Sequence, residues 1–249
     1  MERYQVKLAY DGTDFLGFQR QESSTRTVQA VVEKALQAIG WQGKSILAAG
    51  RTDTGVHASG QVISFDLSWN HPVDSLARAL NSNLPKDVSV RAVQVVDGDF
   101  HPRFDAKRRS YCYRIYGDLM PDPVKRHYVW QMEALPSLTL LNQAANLLPG
   151  HYDCAAFGKA PYADGSTIRK IYHAQWNEVG KDEFHFVITA NAFLYHMVRR
   201  IVYLLVITGR EWLTLDALQK GIALEQNLPA GLAPPNGLSL IDVDYESSR

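Results

Sequence analysis

The stretch "GRTDTGVHASGQ", residues 50–61, places three glycines, two threonines, an arginine, an aspartate and a histidine within twelve positions. It lies between two apolar runs, "SILAA" (45–49) and "QVISFDL" (61–67), which read as strands. On that reading the stretch is a turn. Gly50, Gly55 and Gly60 then serve chain reversal, while Asp53 and the threonines are residue types that hydrogen-bond their own backbone in turns. A loop at the edge of a rigid sheet is equally a place where reactive groups are displayed, because glycines let another molecule approach the backbone closely. The local chemistry of Arg51 and Asp53 leaves both readings open.

Working outward, residues 3–10 alternate Tyr4, Val6, Leu8 and Tyr10 with polar neighbours, the period of a half-buried strand, and "DGT" turns it. Residues 28–39 carry apolar side chains at helical spacing, with Thr27 as a candidate N-cap. Further helices are expected near 76–84, 138–148, 194–208 and 215–224, and further strands near 88–96, 111–116, 168–178, 184–190 and 238–245. Strands in hairpin-like pairs followed by helices give an α+β (mixed α/β) chain built on mainly antiparallel sheet. The last strand follows the proline-bearing stretch "NLPAGLAPPNG", so the chain is expected to return to a sheet at that point.

At 249 residues and 46% hydrophobic, the chain can bury one large core or two small ones. Two lobes, 1–117 and 118–249, are expected, with the crossing near "GDLMPDPVKRH". No apolar run reaches the roughly 18 residues of a membrane span. "MERYQVKLAY" has neither the layout of a secretory signal nor a transit-peptide composition, so a cytoplasmic protein without a membrane partner is expected. Cys112 and Cys154 form no CxxC pair, and neither GxGxxG after a strand nor GxxxxGK[ST] occurs. No metal and no nucleotide cofactor is expected.

Twenty-six basic and 26 acidic residues cancel to a net charge of zero, so only local distribution can attract a polyanion. Basic residues gather beside tyrosines in "RFDAKRRSYCYR", "VKRHY", "TIRKIYH" and "YHMVRR". Such clusters suit solvated outer faces, and they equally suit a surface that tracks phosphates. In "FLYHMVRRIVYLLVITG", Arg199 shares a helical face with Tyr195, Val202, Tyr203 and Val206. A guanidinium there either snorkels to water or pairs with an acid from elsewhere in the chain, Asp53 being one candidate.

The series "YDGTDFLGFQRQ", "TVQAVVEKAL", "AAGRTDTGVHASGQVISF", "LNSNLPKDVSV", "DFHPRFDAKRRSYCYRI", "FLYHMVRRIV" and "GLSLIDVDY" resembles the tRNA pseudouridine synthase A (TruA) family over nearly the whole length. The resemblance implies the pseudouridine synthase fold and conversion of uridine to pseudouridine at positions 38, 39 and 40 in the tRNA anticodon stem-loop. It also implies a homodimer with each tRNA lying across both subunits. Asp53 matches the catalytic aspartate. Arg199 matches an active-site arginine that would pair with it, and Tyr111 matches the tyrosine that stacks on the target uracil. Arg51 would hold a phosphate or fill the space left by an extruded nucleotide. Lys107, Arg108 and Arg109 are the expected contacts to the tRNA backbone. The chain departs from the family pattern at "HYDCAAF" and at Tyr203, which stands where a small residue is common. The rival readings are an RNA-binding module without catalysis and a small-molecule lyase or hydrolase using Asp53 as base.

Overall fold

The computed structural model describes residues 1–21, 26–160 and 165–245. Along the chain run β1 (Glu2–Tyr10), α1 (Val28–Ala38), β2 (Leu47–Ala48), β3 (His57–Leu67), α2 (Val73–Asn83), β4 (Val88–Val96) and β5 (Arg108–Gly117). There follow β6 (Trp130–Met132), α3 (Leu138–Ala145), β7 (Gly150–Asp153), β8 (Ile168–Gly180), β9 (Glu183–Ala190), α4 (Met197–Gly209), α5 (Leu215–Ile222) and β10 (Leu238–Asp244). The chain forms two compact units, Met1–Lys107 with Ser239–Arg249, and Arg108–Leu238. These differ from lobes cut at residue 117: β5 goes with the second unit, and β10 from Ser239 onward returns to the first.

In the first unit the strand order is β4-β1-β3-β10, with β2 on β3. The pairs β1–β3 and β1–β4 are antiparallel and β10–β3 is parallel. Strand β1 forms because its alternation buries Tyr4, Val6, Leu8 and Tyr10 on one face. Each such side chain contributes about 1.5–3 kcal/mol over its exposed state. Helix α1 starts where Thr27 accepts from the Ala30 N–H, and it buries Val28, Val32, Ala35 and Leu36. Its Glu33 is buried as well. That carboxylate accepts from Arg20 at 2.6 Å, from Gln29 at 2.8 Å and from the Ile46 N–H at 3.1 Å, so the charge is paired and its lone pairs are used.

In the second unit the sheet runs β5-β9-β8-β7, antiparallel throughout, with β6 parallel to β5. Trp176 and Phe186 are register partners, with ring centroids 5.0 Å apart in the core. Helix α4 is apolar nearly all round and buries ten residues, the pattern of a helix enclosed by packing rather than laid on a surface. Gly209 near its end lies against Pro136 and Leu141, where an added Cβ would come within 2.9 Å. No helix among the described residues is long and apolar enough to cross a membrane.

Two local differences from the sequence expectation have physical causes. Strand β3 begins at His57, so Gly60 is a strand residue and not a turn-former. It is glycine because β10 crosses close by, leaving an added Cβ 2.2 Å from the Ile241 carbonyl oxygen. Helix α4 starts at Met197, not near 194, because His196 is left-handed at φ 61 and Tyr195 bridges to Lys159 instead. Tyr195 therefore lies off the helix and does not share the face of Arg199.

Candidate active site

In the first unit, the loop carrying Asp53 is fixed on both sides of the aspartate. Gln61, wholly buried on β3, donates from Nε2 to the Gly50 carbonyl at 2.9 Å. The Thr52 hydroxyl lies 2.8 Å from the Tyr10 hydroxyl, and the Thr52 carbonyl accepts from the Phe18 N–H at 3.0 Å. Past the aspartate, the Val56 N–H closes a turn onto the Asp53 carbonyl at 3.1 Å, and the Gly55 N–H donates to Phe15 O at 3.4 Å. His57 is buried and accepts from the Gly12 N–H on Nδ1 at 3.0 Å. With that lone pair used, the neutral imidazole carries its hydrogen on Nε2. The Asp11 Oδ1 atom, 3.2 Å from the same nitrogen, accepts instead from the Thr13 N–H and hydroxyl.

The strap that holds this loop is the turn after β1. Gly12 and Gly17 face the loop backbone: a Cβ at Gly12 would fall 2.0 Å from Val56 O, and Gly17, at φ +86, lies against Thr52 O. "DGTDFLGF" and "GRTDTGVH" are therefore two halves of one tight backbone unit. Arg51 is exposed and Asp53 half-buried at its surface. Burial pushes the Tyr10 phenol up to about 12, although its bonds to Thr52 and Gln61 work in the opposite direction. It is neutral at any physiological pH. Sequence reading missed Tyr10 and Gln61 as supports for the loop; the available signal was a hydroxyl at the buried end of an apolar alternation.

In the second unit, Tyr111, Tyr113 and Ile115 share one face of β5. Burial rises along it, from half-buried Tyr111 to the wholly buried other two. Tyr111 meets Phe193 edge to face, with centroids 5.0 Å apart. Tyr113 donates its hydroxyl to Pro234 O at 2.8 Å, and Arg199 donates Nε to the neighbouring Ala233 O at 2.8 Å. Burial pushes the Tyr113 phenol well up, opposed by the nearby Arg199 charge. Arg200 continues the clamp, from its two terminal nitrogens to Gly231 O at 3.0 Å and Leu228 O at 3.3 Å. Arg199 and Arg200 thus bind the loop before β10 rather than only packing their stems. Tyr203 covers Gly231, where any Cβ would lie 2.1 Å from its ring.

Of the residues expected to contact RNA, Lys107 is exposed and Arg108 half-buried. Arg109 differs: it is buried and donates from one terminal nitrogen to Asn191 O at 2.8 Å. Among the described residues, no three His, Cys, Asp or Glu side chains converge to hold a metal ion.

Residues 8–105 and 144–246 match the model of the family described as tRNA pseudouridine synthase. The chain belongs to the tRNA pseudouridine synthase family. Proteins named tRNA pseudouridine synthase A are similar over nearly the full length. That of Pseudothermotoga lettingae is 39% identical over 98% of this chain and 100% of its own length. Those of Chloroflexus aurantiacus (39% identical, 98% of this chain and 89% of that one) and Lactiplantibacillus plantarum (38%, 99% and 96%) agree. Among solved structures, a chain of a Cbf5-Nop10-Gar1 complex aligns with a TM-score of 0.36 at 11% identity, covering 95% of this chain and 48% of that one. The family's reaction is the isomerisation of uridine to pseudouridine in tRNA, and a member is an isomerase.

Proposed function

We propose that this protein isomerises uridines 38, 39 and 40 in the anticodon stem-loop of tRNA, with Asp53 as the catalytic carboxylate. In that reaction the N1–C1′ bond of the nucleotide breaks, the uracil turns, and a C5–C1′ bond forms. The C5 proton is lost and N1 gains one, so the step balances without an oxidant, a reductant or a group donor. What it requires is an ionised carboxylate held within bonding reach of the ribose or base.

The observation that carries the reading is the fixing of the Asp53 backbone. Its neighbours Thr52 and Val56 are tied to Phe18 N–H and to the Asp53 carbonyl, so the carboxylate is presented from a rigid frame. A stacked uridine must leave the helix to reach such a group, at a cost of about a few kcal/mol. Exposed Arg51, two residues away, is assigned to a phosphate or to the space left behind. Tyr111, with its edge braced by Phe193, is assigned to stacking on the uracil, and Arg199 to the substrate as well. Lys107 and Arg108 are assigned to the tRNA backbone. A homodimer in the cytoplasm, with each tRNA crossing both subunits, belongs to the same proposal.

The test is tritium release from an unmodified tRNA transcript labelled at C5 of uridine, comparing wild type with Asp53→Asn. Release by the wild type alone is expected, with pseudouridine mapped to positions 38–40. Equal release would remove Asp53 from the mechanism. Absence of release from either, with tRNA still bound, would favour a binding module.

A further inference from the structure

The turn between β4 and β5 exposes an aromatic ring that the proposed isomerisation does not use. Phe104 stands 74% exposed, while in the same turn Phe100 is half-buried and Pro102 is buried. A phenylalanine has no polar handle, so leaving it in water forgoes the stabilisation that burial would bring. A slack loop could fold such a ring inward. This one is held. His101 donates its N–H to Asp105 Oδ2 at 2.8 Å, and the His101 carbonyl accepts from the Phe104 N–H at 3.2 Å and the Asp105 N–H at 3.0 Å. The Arg103 N–H donates to His101 Nδ1 at 3.1 Å.

The turn is also tied to the sheet of the first unit. Pro102 O accepts from the Tyr245 hydroxyl at 2.9 Å, and the Phe100 ring lies 5.1 Å from that of Tyr245. Phe100 O takes a terminal nitrogen of Arg3, on β1, at 3.2 Å, and the Lys107 N–H donates to Asp244 O at 2.8 Å. The His101 ring lies against that of Phe104, with centroids 4.2 Å apart, and the Arg103 guanidinium carbon is 5.9 Å from the Phe104 centroid. Ser239 of β10 pairs with His57 beside the Asp53 loop, whereas Asp244 closes the strand. At about 3.3 Å per residue, the turn is anchored roughly 16 Å along β10 from that pairing.

We infer that Phe104 is a stacking platform for an unpaired nucleobase of tRNA, at a distance from the target uridine. Every base has a π-face, and an exposed aromatic ring takes one irrespective of sequence. The base has to stand outside a duplex for that face to be open. The setting favours a nucleobase over a protein partner. Phe104 is the one large hydrophobic side chain exposed between residues 97 and 107, and Arg103 and Lys107 beside it are cations, whereas protein docking uses a contiguous apolar patch. Set apart along β10 from the Asp53 loop, the ring holds a base other than the uracil that reacts. The site rests on tRNA being the substrate, and it adds an uncharged base contact to the phosphate contacts proposed above.

The experiment measures binding of unmodified tRNA transcript to wild type, Phe104→Ala and Phe104→Trp over a salt series, beside steady-state tritium release, thermal melting and light scattering. Phe104→Ala should weaken binding about 5- to 100-fold, the range of one lost base–aromatic stack. The slope of log affinity against log salt should stay at the wild-type value, because no charge is removed. KM should rise with kcat unchanged, and the melting temperature should hold, because the ring is exposed in the free protein. Phe104→Trp should restore binding. Wild-type affinity in Phe104→Ala, with tritium release by the wild type intact, would overturn the platform and leave the proposed reaction standing. If the molecular mass of that variant also fell, the ring would belong to an interface between copies of the chain. A lowered melting temperature in both variants, with both impaired in binding, would make Phe104 structural and overturn the platform as well. Wild type that neither binds tRNA nor releases tritium would overturn the platform and the reaction together.

Discussion

The Tyr10 hydroxyl lies 2.8 Å from Thr52 Oγ1, where both side chains are buried, one residue before Asp53. It makes the end of a core strand the support for the loop that carries Asp53, and it predicts that stability and turnover can be separated. Tyr10→Phe keeps the ring but strands the Thr52 hydroxyl, a loss of about 1–3 kcal/mol in denaturant unfolding. Tritium release should fall in kcat with KM nearly unchanged, because tRNA contacts elsewhere persist. A variant that loses stability but turns over at the wild-type rate would show that Tyr10 does not position the loop.

Gly60 tolerates no side chain. With Ile241 O 2.2 Å from an ideal Cβ, Gly60→Ala must push β10 from β3, and we expect a loss of about 3 kcal/mol or more. Hydrogen exchange should then show residues 239–244 losing protection before the rest of the first unit.

The pairing of Arg3 with Asp66 gives a pH dependence. Register partners on β1 and β3, they form two parallel bonds, Nε to Oδ1 at 2.7 Å and a terminal nitrogen to Oδ2 at 2.8 Å. Hydrogen bonding to Arg3 holds the Asp66 carboxyl below its ordinary value, against a desolvation that raises it. A depressed folded value contributes stability above the unfolded value, and that contribution is lost as pH falls through the folded one, so the window lies below about pH 4. Melting temperatures of Asp66→Asn should accordingly fall less steeply than wild type on acidification below that point. Parallel profiles would contradict the pairing.

Arg109 should behave as a structural residue. Arg109→Met takes the charged donor away from the carbonyl of half-buried Asn191 and should destabilise the second unit by about 1.5–3 kcal/mol. Its direct effect on the salt slope of tRNA binding should be far smaller than that of Lys107→Gln, at an exposed position. Equal slopes for Arg109→Met and Lys107→Gln would place the Arg109 charge on the RNA.

What the sequence made legible follows how each element is stabilised. Strand β4 appears at 88–96 as its alternation predicts, and α1 begins after Thr27 because both an N-cap and an apolar stripe mark it. Strands β6 and β7, three and four residues long, carry no period to read and exist only through their neighbours in the sheet. The cluster at Asp53 was visible as composition, whereas its supports, Tyr10 and Gln61, looked like ordinary strand residues. Arg109 stood in a basic run and could be told from Arg108 only by strand parity, which buries one and leaves the other half-exposed.

The late return of β10 to the first unit sets a schedule for synthesis on the ribosome. Residues 57 and 58, next to the Asp53 loop, find their parallel partners only at 239 and 240. At about 5–20 residues per second, the nascent first unit waits on the order of ten seconds with that edge uncovered. The Asp53 loop is therefore among the last parts of the first unit to acquire its full backing.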